Sequence, residues 1–176
     1  MTGTTTEAAW AKLNLSLDVL GARSDGFHDL RMVMQSVDLH DDVTVTLDDT
    51  GVCRAETNRS YLPCGADNVA VRAAQVFLSR AGLTCGVHIR LHKRIPVCAG
   101  LGGGSSDAAA VLRALNRLTG AGFTCAQLEE LGALVGSDVP YCVAGGTMLA
   151  EGRGERLTPV TPMPRLPVVI CKPDFP

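Results

Sequence analysis

The stretch Pro96-Val97-Cys98-Ala99-Gly100-Leu101-Gly102-Gly103-Gly104-Ser105-Ser106 constrains this chain more than any other part of it. It lies between an alternating apolar segment and a segment of helical period, so it must turn a strand into a helix. Glycines there admit positive φ and let a ligand approach the backbone closely. Successive N–H groups can then point into one concavity, and the helix that follows adds unpaired amide donors and the positive end of its dipole. Ser105 and Ser106 are expected to add hydroxyl donors. The loop therefore reads as a phosphate cradle. Two other phosphate loops are excluded: no lysine follows the glycines as a Walker loop requires, and the G-x-G-x-x-G count from Gly100 fails at Ser105. A plain flexible loop is the competing reading, but three consecutive glycines cost backbone entropy on folding.

The flanking pattern is mixed. Ala11, Leu13, Leu15, Leu17 and Val19 alternate with Lys12, Asn14, Ser16 and Asp18. This predicts a half-buried strand with Lys12 and Asn14 on one face. Ser24-Asp25-Gly26 marks a turn. Extended segments follow over residues 31–39 and 43–47, giving an antiparallel meander. Asp67 is expected to cap a helix running to about residue 81, with Gly82 as its stop. Val87, Ile89 and Leu91 alternate with His88, Arg90 and His92 in a further strand. Helices are predicted over residues 106–118 and 126–135, and late strands over residues 147–150 and 168–171. Strands and helices mix without strict alternation, so the predicted class is α+β.

A chain of 176 residues with a 46% hydrophobic share and only 4% aromatics supports one domain with an aliphatic, alanine-rich core. A net charge of -2 argues against a nucleic-acid or anionic-membrane partner. The seven cysteines, Cys53, Cys64, Cys85, Cys98, Cys125, Cys142 and Cys171, are odd in number and form no C-x-x-C pair. They are expected to be reduced and mostly buried in a cytoplasmic protein. The first residues do not read as a signal peptide, and no run of about 18 apolar residues suggests a membrane span. His88 and His92 share a strand face, but no third ligand accompanies them. A polar outward face is expected there, and no protein metal site.

Several motifs resemble one family. Lys93-Arg94-Ile95-Pro96 leading into the glycine loop is similar to the central motif of the GHMP kinases. Gly102-Gly103-Gly104-Ser105-Ser106-Asp107 is closest to the branch that phosphorylates a cytidyl-diphosphate derivative of methylerythritol in the non-mevalonate route to isoprenoids. Ala11-Lys12-Leu13-Asn14-Leu15, Asp25-Gly26-Phe27-His28, Gly136-Ser137-Asp138-Val139-Pro140 and Ala150-Glu151-Gly152-Arg153-Gly154-Glu155 match that branch in the same order. The resemblance implies an ATP-binding domain with a β-rich sheet, packed helices and a left-handed β-α-β crossover. It implies ATP and Mg2+, and a small cytidyl diphosphate substrate. It makes Asp138 the catalytic base and Lys12 its partner, although spacing alone reads Asp138 as a helix cap. It places Asn14, Phe27 and His28 at the substrate, with Phe27 standing where tyrosine is usual. It places residues 96–106, Asn68 and Lys93 at ATP, Asn68 and Lys93 towards the adenosine; a capping Asn and a surface Lys are the structural alternatives.

Family members are roughly a hundred residues longer. Residues 1–165 are expected to form the N-terminal ATP-binding domain, and 166–176 to begin the connection to a C-terminal domain. Two other readings stay open on sequence: another GHMP kinase of a different small molecule, and a nucleotide-binding module without catalysis.

Overall fold

The computed structural model describes residues 2–172. Its frame is a long antiparallel hairpin. Strand β1 (Gly3–Ala22) pairs with β2 (His28–Asp48) from Gly3 opposite Leu47 to Ala22 opposite His28. The two strands expected at 31–39 and 43–47 are thus one. Asp41 and Asp42, which look like a turn, lie within it. Its buried positions switch from even numbers (Met32, Met34) to odd ones (Asp41, Val43, Val45, Leu47). That switch hides the continuity from a period-two search. Between the pairs Trp10–His40 and Lys12–Ser36, β2 carries more residues than β1.

The free edge of β2 is shared by two strands. β4 (Gly86–His92) pairs with residues 42–48, and β5 (Thr147–Gly152) with residues 30–35. β3 (Cys53–Thr57) joins β4 in parallel, and β6 (Arg156–Pro159) joins β5. A parallel pair needs a crossover. Here it is α1 (Val69–Ala81), whose Ala70, Val71, Ala73, Ala74, Phe77 and Leu78 are buried. Its cap is Asn68, not the expected Asp67: Asn68 Oδ1 accepts from the Ala70 N–H at 2.9 Å. Gly82, at a φ of 66°, ends the helix as expected.

Helix α2 (Gly103–Thr119) lies against α1 and the sheet, with Ala108 to Leu112, Ala114 and Leu115 buried. It starts at Gly103, ahead of the expected residue 106. α3 (Cys125–Ala133) follows, with Thr124 and Gln127 in a capping box. α4 (Val139–Ala144) was not foreseen; its six residues are too few to show a period. The main core joins Val43, Val45, Ile89 and Leu91 of the sheet to α1 and α2. Phe77 meets Phe123 edge-on at 5.3 Å.

Three further expectations fail. Residues 168–171 form no strand, and β6 occupies that role earlier in the chain. The cysteines are free but not mostly buried: Cys64, Cys98, Cys125 and Cys171 are exposed and the rest only half-buried. The outer half of β1 is not half-buried either. Leu15, Leu17, Val19 and Leu20 are all exposed, because the hairpin there extends past the helical layer. Of the expected interdomain connection, residues 173–176 lie outside the described residues.

Candidate active site

The glycine loop runs from β4 into α2. Gly102, at a φ of 70°, is the N-cap of α2, a conformation that suits glycine. A Cβ there would also stand 2.8 Å from Lys12 Cγ, so the lysine stem packs directly on the loop backbone. Cys98 is the non-glycine residue with positive φ among the described residues, at 56°. The first amides of α2 have no partner within the helix. They face a cavity of about 380 Å³ lined by residues 95–105, Asn68, Lys93 and Asp107, with Leu62, Pro63, Val69 and Leu91 as apolar walls. An amide-rich end and an apolar end suit a nucleoside triphosphate. Ser105 lines this cavity. Ser106 does not: it is buried and its hydroxyl donates back to the Gly102 and Gly103 carbonyls at 3.1 Å. The expected donor there is satisfied inside its own helix.

Lys12 and Asp138 meet beside the loop. Lys12 is 5% exposed, and its backbone N–H donates to the Leu101 carbonyl at 3.0 Å. Its Nζ lies 3.3 Å from Asp138 Oδ2 and 3.3 Å from Asn14 Oδ1. Asp138 stands at the N-cap of α4 but makes no side-chain cap hydrogen bond. The carboxylate is turned to the lysine instead, so the capping explanation of this residue fails. Asn14 shares the Lys12 face as the alternation predicted.

Beneath the loop is a second group that spacing did not predict. Lys93 Nζ lies 2.5 Å from both Asp41 Oδ2 and Asp107 Oδ2, and all three side chains are almost fully buried. Lys93 is therefore no surface lysine. Asp41 also accepts backbone N–H groups of Arg94 and Ile95, and Asn58 clamps the Lys93 backbone on both sides. One ammonium does not balance two buried carboxylates. Burial pushes the Asp107 carboxyl up to about 7; Lys93 opposes this and Asp41 adds to it. Asp107 Oδ1 has no hydrogen-bond partner. Asn68 is equally committed: besides its cap it donates to the Pro63 carbonyl at 2.7 Å.

Residues 68–146 match the family model described as the GHMP kinases N terminal domain. The 4-diphosphocytidyl-2-C-methyl-D-erythritol kinase of Geobacter metallireducens is 51% identical over 94% of this chain. A crystal structure of a 4-(cytidine 5'-diphospho)-2C-methyl-D-erythritol kinase superposes with a TM-score of 0.74 at 42% identity, over 89% of this chain. The chain carries a GHMP kinase N-terminal domain. The mevalonate kinase of Methanococcus jannaschii, at 12% identity and a TM-score of 0.67 over 90% of this chain, shares the fold alone. The chain spans 59% of the Geobacter protein's length, 55% of the crystallised kinase and 56% of the mevalonate kinase.

The chain gathers Lys12, Asn14, Asp138, Lys93, Asn68 and the glycine loop around the middle of the β1–β2 hairpin. Phe27 and His28 stand elsewhere. They lie at the far tip of the hairpin, ten residues from Lys12 to Ala22 along β1, about 33 Å of strand contour. There they line a separate cavity of about 320 Å³ with Val19 and Arg153. The Arg153 guanidinium sits over the Phe27 ring, 4.7 Å from its centre. A larger cavity, about 620 Å³, lies between residues 35–39 and 163–170. His88 lies 3.6 Å from Glu56, and among the described residues no cluster of three or more His, Cys, Asp or Glu side chains is placed to hold a metal ion.

Proposed function

We propose that this chain carries the ATP site and the catalytic pair of a kinase that phosphorylates the 2-hydroxyl of 4-diphosphocytidyl-2-C-methyl-D-erythritol. The observation that carries the reading is the Lys12–Asp138 contact, 3.3 Å long and packed against Gly102 of the phosphate loop. Phosphoryl transfer asks mainly for position and charge neutralisation. The N-terminal amides of α2 and the loop receive the phosphates. Asp138 Oδ2 accepts the proton of the substrate hydroxyl. Lys12, held by Leu101 and Asn14, orients that hydroxyl and offsets negative charge as it develops. Asn68 and Lys93 act on the nucleoside end by shaping the cavity wall, since their polar groups are already engaged. Phe27 and His28 receive the cytosine, with Arg153 swinging off the ring. Mg2+ comes with the triphosphate, because these side chains offer it no cage. Residues 1–165 act as the N-terminal domain and residues 166–176 lead to a second one, in a cytoplasmic enzyme of small-molecule metabolism.

The test is ATP consumption with the cytidyl substrate, for the parent chain, Asp138→Asn and Lys12→Met. Loss of the base should cost about 10²–10⁴-fold in rate while ATP binding persists. Full activity in Asp138→Asn removes the base assignment. Equal rates with mevalonate or homoserine remove the substrate assignment. ATP binding without turnover in the parent favours a nucleotide-binding module.

A further inference from the structure

Asp138 owes its place to α4, which packs on Met32 and Met34 of β2 and is hydrogen-bonded to that strand through the Tyr141 phenol. Tyr141 is 1% exposed. Its hydroxyl donates to the Gly146 carbonyl at 2.7 Å and lies 3.1 Å from Ser36 Oγ. With the phenol proton so used, Ser36 donates to the Tyr141 oxygen. The Gly146 N–H donates to Ser36 Oγ at 3.1 Å, and the Ser36 N–H donates to the Gly146 carbonyl at 3.1 Å. Burial holds the Tyr141 phenol up at about 12, so it remains a donor through neutral pH.

Ser36 is also the residue directly opposite Lys12. The Ser36 N–H faces Gly146 and the Lys12 N–H faces Leu101, both away from the β1–β2 ladder. They form a non-hydrogen-bonded pair, the kind whose side chains stand closest. The pair sits at the irregularity after Trp10 and His40, and such irregularities re-aim side chains. One serine therefore touches the strand position of the lysine and the anchor of the helix that presents the aspartate.

We propose that Ser36 and Tyr141 are a positioning pair that fixes the separation of Lys12 and Asp138. Neither touches the reacting atoms; they act through the registration of α4 on β2. The inference rests on the reading of Lys12 and Asp138 as the transfer pair, and it deepens that reading.

Tyr141→Phe keeps the ring and removes the hydroxyl. Ser36→Ala removes its partner, and Ser36→Thr keeps a hydroxyl. For each, and for the Ser36→Ala/Tyr141→Phe double variant, kcat and the KM for ATP are measured with the cytidyl substrate, and the single variants are crystallised. Each single loss should lower kcat on the order of tenfold, with the KM for ATP unchanged within about twofold. The double variant should fall no further, and Ser36→Thr should recover most of the rate. An unchanged kcat in Tyr141→Phe, or additive losses in the double variant, overturns the proposal. If the parent transfers no phosphate, the kinase reading fails and the pair is judged on distance. A Lys12–Asp138 separation lengthened past about 4 Å in the variants supports it, and an unchanged one overturns it. Should Tyr141→Phe not fold, Ser36→Ala decides by the same criteria.

Discussion

Asp107 is buried beside Lys93 and Asp41, with one oxygen left unpaired. Its carboxyl titrates near 7 in the fold, against 3.8 as the ordinary value. An acid raised on folding stabilises the native state fully below the unfolded value and loses that contribution as pH rises through the folded one. The window is therefore pH 4 to 7, with stability falling upward. The size of the effect, on the order of 4 kcal/mol across the window, follows from about 1.4 kcal/mol per pH unit. Asp107→Asn should remove that slope, because the amide stays neutral. Urea denaturation of both proteins between pH 4 and pH 7 measures it; an identical slope in the variant would show that Asp107 is not the titrating group. Lys93 and Asp41, the charged groups facing Asp107, remain in both proteins.

At the scale of elements, legibility followed side-chain periodicity and local caps. β4 and α1 were readable because Val87, Ile89 and Leu91, and then Ala73 and Phe77, repeat on one face. β2 was not, because its buried parity changes near Ser36 and two aspartates sit in its middle. Asp41 is there to bind Lys93 and the Arg94 and Ile95 amides, a purpose set by residues about 50 positions away. In the site, Lys12, Asp138 and the loop were legible as motifs, while the buried triad and the Ser36–Tyr141 link were not. Their partners meet only through tertiary packing. At the hairpin tip Arg153 lies over the Phe27 ring, a contact that no sequence motif announced. Local signals also carry energy that is easily measured. The Thr124 capping box holds the start of α3. Thr124→Ala should destabilise the chain by about 1 kcal/mol, seen as a lower urea midpoint at unchanged slope, and leave ATP affinity as it was.

For the whole molecule, a ligand that binds only the folded state stabilises it by mass action, about 2.7 kcal/mol at a hundredfold excess over Kd. The glycine loop proposed to receive the phosphates lies within the described chain, so ATP at that excess should raise the melting midpoint by about 5–10 °C. Asp138→Asn should keep the rise, since its carboxylate does not line the cavity beside residues 95–105. No rise at saturating ATP would remove the triphosphate from the cavity beside residues 95–105.

The hydrogen bond from Lys12 to Leu101 and the ion pair from Lys12 to Asp138 join points early, midway and late in the chain. During synthesis the lysine leaves the ribosome first and waits. The glycine loop follows, and the aspartate comes last. On the proposed roles, a nascent chain that has reached α2 but not α4 carries the nucleotide loop with no base beside it.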